Sequence, residues 1–123
     1  KVLIVDDSKT VRQVLSKMLL QAGYETITAA DGKEAIIKAQ KRIPDLIIMD
    51  VFMPGINGFQ ATRYLRKRQE TRHIPIIIIS ANPEGADKLW GLKVGADSFL
   101  AKPFSRGDLF GQIEKHLYES KVA

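Results

Sequence analysis

The chain has 123 residues and no cysteine, and it carries a formal net charge of +5. This length predicts one domain over residues 1–123, large enough to bury a sheet between helices, and the lack of cysteine excludes a disulfide scaffold and thiol chemistry. The longest uncharged apolar runs are far shorter than the roughly 20 residues of a membrane helix, and the start does not resemble a signal peptide, so we expect a cytoplasmic protein without membrane insertion.

The first third of the chain alternates between a strand pattern and a helix pattern. The apolar run from Val2 to Val5 predicts a first strand. Ser8 is a plausible N-cap for a first helix, which Gly23 then ends. The segment from Tyr24 to Ala29 follows as the second predicted strand.

The middle of the chain repeats this order. Asp31 and Asn57 each precede a Glu or Gln by three residues, which predicts capping pairs for a second and a third helix. The second helix must end before Pro44, because the residue before a proline disfavours the helical region. Between these helices, the run from Leu46 to Met49 predicts the third strand.

The last third predicts two more strands and two more helices. The run from Ile76 to Ile79 is the fourth strand, and a fourth helix then starts near Pro83 and ends at Gly95. The fifth strand covers Phe99 to Ala101, and Ser105 begins the last helix. Apolar strands that alternate with helices are typical of an α/β protein with a parallel sheet.

Polar or reactive residues follow four of the five predicted strands. They are Asp6 and Asp7 after the first strand, Asp50 after the third, Ser80 after the fourth and Lys102 after the fifth. In open parallel sheets, ligands bind outside the carboxyl ends of the strands. We therefore expect these five side chains to converge on one site.

The chemistry of this predicted site follows from its charges. Three carboxylates that lie close together repel each other unless a divalent cation neutralises them, and oxygen ligands without cysteine favour Mg²⁺, with Mn²⁺ as the alternative. An aspartate held beside such an ion can attack phosphorus, while Lys102 supplies a second positive charge and Ser80 a hydroxyl group. The competing interpretation is that the acidic residues only cap helices or face solvent.

The ordered motifs resemble the receiver domain of bacterial two-component response regulators, the CheY-like family, over essentially the whole chain. The residues that carry the resemblance are Asp6-Asp7, Asp50 with Met53-Pro54-Gly55 and Gly58, Ser80, and Lys102-Pro103-Phe104. The resemblance implies a (βα)5 doubly wound, flavodoxin-like fold with strand order 2-1-3-4-5. A finer similarity, over the segment from Asn57 to Arg63 and around Trp90, is to stand-alone receivers of the type IV pilus, twitching-motility branch.

The resemblance also assigns roles to residues of this chain. Asp50 would be the phosphoacceptor, and Ser80 and Lys102 would act with it at the phosphoryl group. The implied Mg²⁺ ligands are Asp6, Asp7, Asp50 and the backbone carbonyl of Phe52. The implied switch residues are Ser80, Phe99 and Pro103, with a cis bond between Lys102 and Pro103.

By the same resemblance, the protein is a signalling switch with intrinsic Mg²⁺-dependent self-phosphorylation and self-dephosphorylation, and is not an enzyme acting on external substrates. A sensor histidine kinase would supply the phosphoryl group. A downstream protein target would bind the face formed by the fourth helix, the fifth strand and the last helix. The protein would be a monomer or a phosphorylation-dependent dimer, in a chemotaxis or motility pathway.

Two other functions use similar chemistry or the same fold. A phospho-aspartyl hydrolase would need a general acid two residues after the nucleophile, where this chain has Phe52. A flavodoxin-like FMN binder would need a phosphate-binding loop after the first strand, where Asp6 and Asp7 would repel a phosphate. A receiver that is never phosphorylated is disfavoured, because all five site groups are present.

Several other residues have simpler interpretations. The basic segment from Arg63 to Arg72 lacks the interleaved aromatic residues of many nucleic-acid interfaces, so we expect a solvated helix face and no nucleic-acid partner. His73 and His116 have no paired ligands at metal spacing, and we expect both at the surface. Trp90 is either a docking residue or part of the core.

Overall fold

The computed structural model describes residues 1–81, 90, 91 and 93–122, with side chains through residue 118. Its sheet has five parallel strands in the order β2-β1-β3-β4-β5, as predicted. The strands are β1 Val2–Val5, β2 Thr26–Ala29, β3 Leu46–Asp50, β4 Ile76–Ser80 and β5 Ser98–Ala101. The helices are α1 Lys9–Gln21, α2 Gly32–Arg42, α3 Gly58–Lys67 and a C-terminal helix Arg106–Val122.

The predicted starts of the first three helices are confirmed by their caps. The Ser8 hydroxyl accepts a hydrogen bond from the backbone N–H of Val11, and the Asp31 carboxylate accepts one from the N–H of Glu34. Asn57 and Gln60 form a complete capping box at the start of α3. Each cap satisfies a backbone N–H that has no partner within its helix.

The second strand is shorter than predicted, because it begins at Thr26 and not at Tyr24. The N–H of Tyr24 bonds to the carbonyl of Leu19, and the N–H of Gly23 bonds to that of Leu20. Together with the positive φ of Gly23, +94°, this is the Schellman arrangement that ends many helices. Tyr24 therefore belongs to the end of α1 and is not available to the sheet.

The sheet is buried on both faces. Side chains of one face pack against α2 and α3, and side chains of the other face pack against α1 and the C-terminal helix. Every residue of β1, β3 and β4 is buried, as expected of central strands in a parallel sheet. The carboxyl ends of these rigid strands therefore hold their side chains in fixed positions.

The predicted fourth helix is described only at its end. Residues 90, 91 and 93 are helical, and Gly95 has a φ of +102°, in agreement with a helix end there. The predicted start near Pro83 lies outside the described residues. None of the helices in the described part of the chain is long and apolar enough to cross a membrane.

Two surface predictions are wrong. Arg66 is not part of a solvated face: its guanidinium donates to the carbonyls of Gly95 and Ile74 at 2.8 and 2.7 Å and pairs with Asp97. His116 of the C-terminal helix is only 6% exposed, because its ring hydrogen-bonds Ser98 of β5. Arg63 and Lys67 lie exposed on α3 as predicted, whereas Arg68 and Arg72 are exposed but follow the end of this helix. The surface position is confirmed for His73.

Candidate functional site

The register of the sheet brings Asp6 and Asp50 side by side. Val5 of β1 pairs with Met49 of β3, so the next residue of each strand lies at the same level. From β1 the chain continues to β2, which lies beside β1 in one direction along the sheet. From β2 it crosses over to β3, which lies on the opposite side of β1. The strand order therefore reverses between β1 and β3, which is the topological switch point. Ligands bind in the crevice at such a point in doubly wound sheets.

Asp7 completes a cluster of three carboxylates. One carboxylate oxygen from each of Asp6, Asp7 and Asp50 lies within 4.8 Å of the others. Asp6 and Asp50 are buried and Asp7 is exposed, so the cluster opens to solvent on one side. A site with hard oxygen ligands and one side open to solvent fits Mg²⁺, because this ion usually keeps several bound waters and also coordinates phosphate oxygens.

The electrostatics of the cluster supports the same interpretation. Burial raises the pKa of Asp50 above its ordinary value of 3.8, and the neighbouring charge of Asp6 raises it further, although Lys102 opposes both effects. Among the described residues, the positive charge near Asp50 therefore does not fully compensate its negative charge. A divalent cation would restore the balance.

Lys102 is the positive charge that the chain itself supplies. Its Nζ lies 3.3 Å from Asp50 Oδ1 and 3.4 Å from Asp6 Oδ2. Burial alone would lower the pKa of Lys102, but the two carboxylates outweigh it and raise this pKa above 10.5. Lys102 is therefore a firmly charged ammonium group that bridges two of the three carboxylates.

Asp6 is held by contacts that the sequence analysis did not anticipate. Its Oδ1 accepts a hydrogen bond from the N–H of Ser8 at 2.9 Å, and its backbone carbonyl accepts one from the Arg12 guanidinium at 2.7 Å. The first contact is an Asx-type turn, which an aspartate two residues before an N-cap serine could have suggested. Nothing in the local pattern pointed to Arg12.

Ser80 and Lys102 are coupled through the backbone. The N–H of Lys102 bonds to the carbonyl of Ser80 at 2.8 Å, and Ser80 pairs with Ala101 across the two last strands. Ser80 is fully buried at the end of β4, one position beyond Ile79, which pairs with Asp50 of β3. The structure thus brings all five predicted side chains to the same edge of the sheet.

The loop after Asp50 is shaped by two glycines. Gly55 has a φ of +75°, a conformation that other residues rarely adopt. Gly58 lies so close to β3 that a Cβ there would be 2.1 Å from the carbonyl oxygen of Asp50, and its N–H bonds to the carbonyl of Val51 at 2.8 Å. Gly58 therefore lets the first turn of α3 pack directly against the backbone of Asp50.

The remaining predicted residues are Phe99, Pro103 and Phe52. Phe99 is half-buried, and its ring lies against Gly91, where a Cβ would be 3.3 Å from the ring. The Lys102–Pro103 bond is cis and Pro103 is exposed just after β5. The side chain of Phe52 is 58% exposed at the start of the loop after Asp50.

This fold and this site define a class of protein. The chain belongs to the response regulator receiver domain family, whose pattern it matches over residues 2–114. Proteins of this class are signalling domains of two-component systems, as the motifs had indicated.

Individual relatives give a more detailed comparison. The chain is 42% identical to the protein PilH of Pseudomonas aeruginosa over 92% of this chain and 93% of that protein. Several other curated relatives are transcriptional regulators, and the chain spans about half of their length.

Two solved structures are similar over nearly the whole chain. The chemotaxis protein CheY4 of Vibrio cholerae superposes with a TM-score of 0.87 at 41% identity, covering 93% of this chain and 95% of that chain. The receiver domain of the sensor histidine kinase PA1611 of Pseudomonas aeruginosa superposes with a TM-score of 0.88 at 34% identity, covering 94% and 95%. The PA1611 structure has a magnesium ion coordinated in its active-site cleft.

Proposed function

We propose that Asp50 accepts a phosphoryl group from the phosphohistidine of a sensor histidine kinase, and that the modified protein then binds a downstream protein target. The observation that carries this proposal is the cluster of three carboxylates in contact with one lysine. Asp6, Asp7 and Asp50 have oxygens within 4.8 Å of each other, and Lys102 contacts Asp50 and Asp6. In this proposal residues 1–123 act as a single receiver domain.

Among the three carboxylates, Asp50 is the best candidate for the nucleophile. Each Asp6 oxygen accepts a hydrogen bond, Oδ1 from the Ser8 N–H and Oδ2 from Lys102, whereas Lys102 bonds Asp50 at Oδ1 and Asp7 is exposed. Burial raises the pKa of Asp50, which makes its carboxylate more basic and a better nucleophile. It also extends from a central buried strand, which fixes its position.

In the proposed reaction, an Asp50 oxygen attacks phosphorus and the bond from phosphorus to the imidazole nitrogen breaks, with the electron pair leaving on nitrogen. Asp6, Asp7, Asp50 and the Phe52 carbonyl would hold Mg²⁺, or Mn²⁺ as the alternative ion. Bound there, the metal supplies positive charge that offsets repulsion between the carboxylates and the phosphoryl oxygens. Lys102 pairs with a phosphoryl oxygen, and the Ser80 hydroxyl donates a hydrogen bond to another.

The switch would follow from these same contacts. Lys102 must exchange its bonds to Asp50 and Asp6 for the phosphoryl group, and Ser80 and Lys102 move together because their backbones are bonded. Phe99 pairs with Ile78 of β4 and its ring lies against Gly91, so a shift of β4 and β5 would reach the helical residues 90, 91 and 93. Phosphorylation can bias such an element if it has two arrangements of similar energy.

We propose that the target binds the face that β5 forms with the C-terminal helix and the preceding helical segment, and that Pro103 helps to shape the connecting loop. The similarity to PilH and CheY4 supports a pathway that controls motility or chemotaxis. We further propose slow Mg²⁺-dependent self-phosphorylation from small phosphodonors and self-dephosphorylation by water, since both reactions need only the groups of this site.

The two alternatives have less support. A phospho-aspartyl hydrolase would need an acidic side chain at the position of Phe52, which is instead an exposed apolar residue. An FMN binder would have to place a phosphate beside the cluster of Asp6, Asp7 and Asp50, where the net charge is negative. Family membership also favours the switch over both alternatives.

The test of the proposed function is intact mass spectrometry after incubation with acetyl phosphate. With Mg²⁺ present, the chain should gain the mass of one phosphoryl group. The gain should be absent after removal of divalent ions with a chelator, and absent in the Asp50→Asn variant. A variant that keeps the wild-type gain would show that Asp50 is not the acceptor.

A further inference from the structure

A groove runs between α3 and residues 90, 93 and 94. It consists of two adjoining cavities of about 320 and 250 Å³. Arg63, Trp90 and Val94 line both cavities, so the two cavities adjoin at these residues and together form one groove. We call this the α3 groove.

Positive charge lines the α3 groove. Arg63, Lys67 and Lys93 line it and are all exposed. Arg66 also lines it, but its charge is already paired with Asp97. Among the described side chains that line the groove, none is acidic. The groove therefore carries three cations that no described carboxylate compensates.

The floor of the α3 groove is apolar. Trp90 is 52% exposed, and the half-buried Phe59 and Val94 lie beside it. The ammonium of Lys93 is 5.3 Å from the centre of the Trp90 ring, which holds one face of the indole in place. Exposed tryptophan and arginine are the residue types most often responsible for the energy of protein interfaces.

We propose that the α3 groove binds an acidic segment of a partner protein, with one apolar side chain of that segment against Trp90 and carboxylates against Arg63, Lys67 and Lys93. The groove lies between α3 and residues 90, 93 and 94. The charge pattern is complementary to such a segment, and complementary charge speeds and orients association.

Other occupants fit the groove less well. A second copy of this chain also carries a net charge of +5, so two copies repel each other. Duplex DNA is read by an element that enters a DNA groove, whereas here the charges flank a cleft with an apolar floor. Arg63, Lys67 and Lys93 all line the larger cavity and only Arg63 also lines the smaller one, so a single phosphate would leave the apolar side chains of the smaller cavity uncovered.

This binding is proposed for the unphosphorylated protein. The lining residues of the α3 groove are not among the residues of the acidic cluster, and the ion pair and hydrogen bond described for the Asp50 side chain are with Lys102, which does not line the groove. We therefore expect the same binding in the Asp50→Asn variant. Failure of this inference would leave the proposed function intact, and failure of phosphorylation at Asp50 would leave this inference intact.

The chain offers a direct readout, because Trp90 is its only tryptophan. The probe is a peptide library in which each member alternates Glu or Asp with Gly and carries one Leu, Phe or Met. Added peptide should change the tryptophan emission in a saturable way, and the affinity should fall as salt is raised. Matched peptides with Lys in place of the acidic residues, or without the apolar residue, should bind at least about tenfold more weakly.

The decisive variant is Arg63→Glu, and Lys41→Glu is its matched control. Both substitutions make the same change in net charge, but Lys41 is exposed at the end of α2 and does not line the groove. Arg63→Glu should weaken binding by about tenfold or more, and Lys41→Glu by no more than about twofold. Circular dichroism confirms that both variants are folded.

Three results would overturn the inference. One is equal weakening by Arg63→Glu and Lys41→Glu, which would reduce the effect to net charge. Another is equal binding of the acidic and the Lys-containing peptides. The third is tighter binding of duplex DNA than of any acidic peptide at physiological salt, which would make the groove a nucleic-acid contact.

Discussion

Gly58→Ala tests how the loop after Asp50 is built. A Cβ at this position would lie 2.1 Å from the carbonyl oxygen of Asp50 and 3.0 Å from the Cα of Val51. Both are backbone atoms of a buried segment, so no flexible side chain can move aside. To reach even a tight contact of 3.0 Å, the start of α3 must move away from β3 by about 1 Å.

The expected loss of stability combines three effects. Forcing an extra methyl group into a packed position costs about 1–3 kcal/mol. Movement of α3 also strains the hydrogen bond from the Gly58 N–H to the Val51 carbonyl, which contributes about 1 kcal/mol. Alanine is a better helix former than glycine by about 1 kcal/mol, which offsets part of this loss. We therefore expect a net destabilisation of about 2 kcal/mol.

The assay is urea unfolding followed by circular dichroism, and Gly111→Ala is the control. Gly111 lies inside the C-terminal helix, and a methyl group added there would have no heavy atom within 4 Å beyond its own helix backbone and chain neighbours, so alanine should stabilise by about 0.5–1 kcal/mol. The midpoint should fall for Gly58→Ala and rise for Gly111→Ala. If both variants gained stability, the close approach of α3 to Asp50 would be refuted.

Three further predictions concern the charges of the site. Asp50→Asn should raise Tm at neutral pH without divalent ions. Folding raises the pKa of Asp50, so its ionised carboxylate lowers the stability of the folded state at pH values above the unfolded-state pKa of 3.8. The gain in Tm from the substitution should therefore vanish as the pH falls toward 3.8. Mg²⁺ should raise the Tm of the wild type by mass action, and Asp7→Ala should lose most of that response; an unchanged response would contradict the ligand assignment. Lys102→Ala should lower Tm without ions, since two carboxylates lose their partner, yet it should keep the Mg²⁺ response and lose phosphorylation-dependent target binding; wild-type target binding would disprove the switch role of Lys102.

Local sequence patterns were sufficient to predict the residues of the acidic cluster. Asp6 and Asp50 each follow an apolar run, and parallel strands end at the same edge, so their proximity follows from the topology alone. Lys102 was predicted by the same argument. The helix starts were predictable because a cap at Ser8 or Asn57 depends only on residues three positions away.

Contacts between distant segments were not predictable in the same way. Arg66 was assigned to a solvated face because its own segment is basic, but its partner Asp97 is far along the chain. His116 was assigned to the surface because its neighbours do not show that Ser98 of β5 lies beneath it. The later start of β2, at Thr26, was missed because the helix-ending hydrogen bonds compete with strand pairing for the N–H of Tyr24.

The most direct test of the central claim is to locate the phosphoryl group on the chain. After incubation with acetyl phosphate and Mg²⁺, reduction with borohydride converts an aspartyl phosphate to homoserine, which peptide mass spectrometry assigns to a position. The account predicts homoserine at position 50 and none when divalent ions are removed. Homoserine at position 6 or 7 in place of position 50, or a phosphoryl group on another residue type, would contradict it.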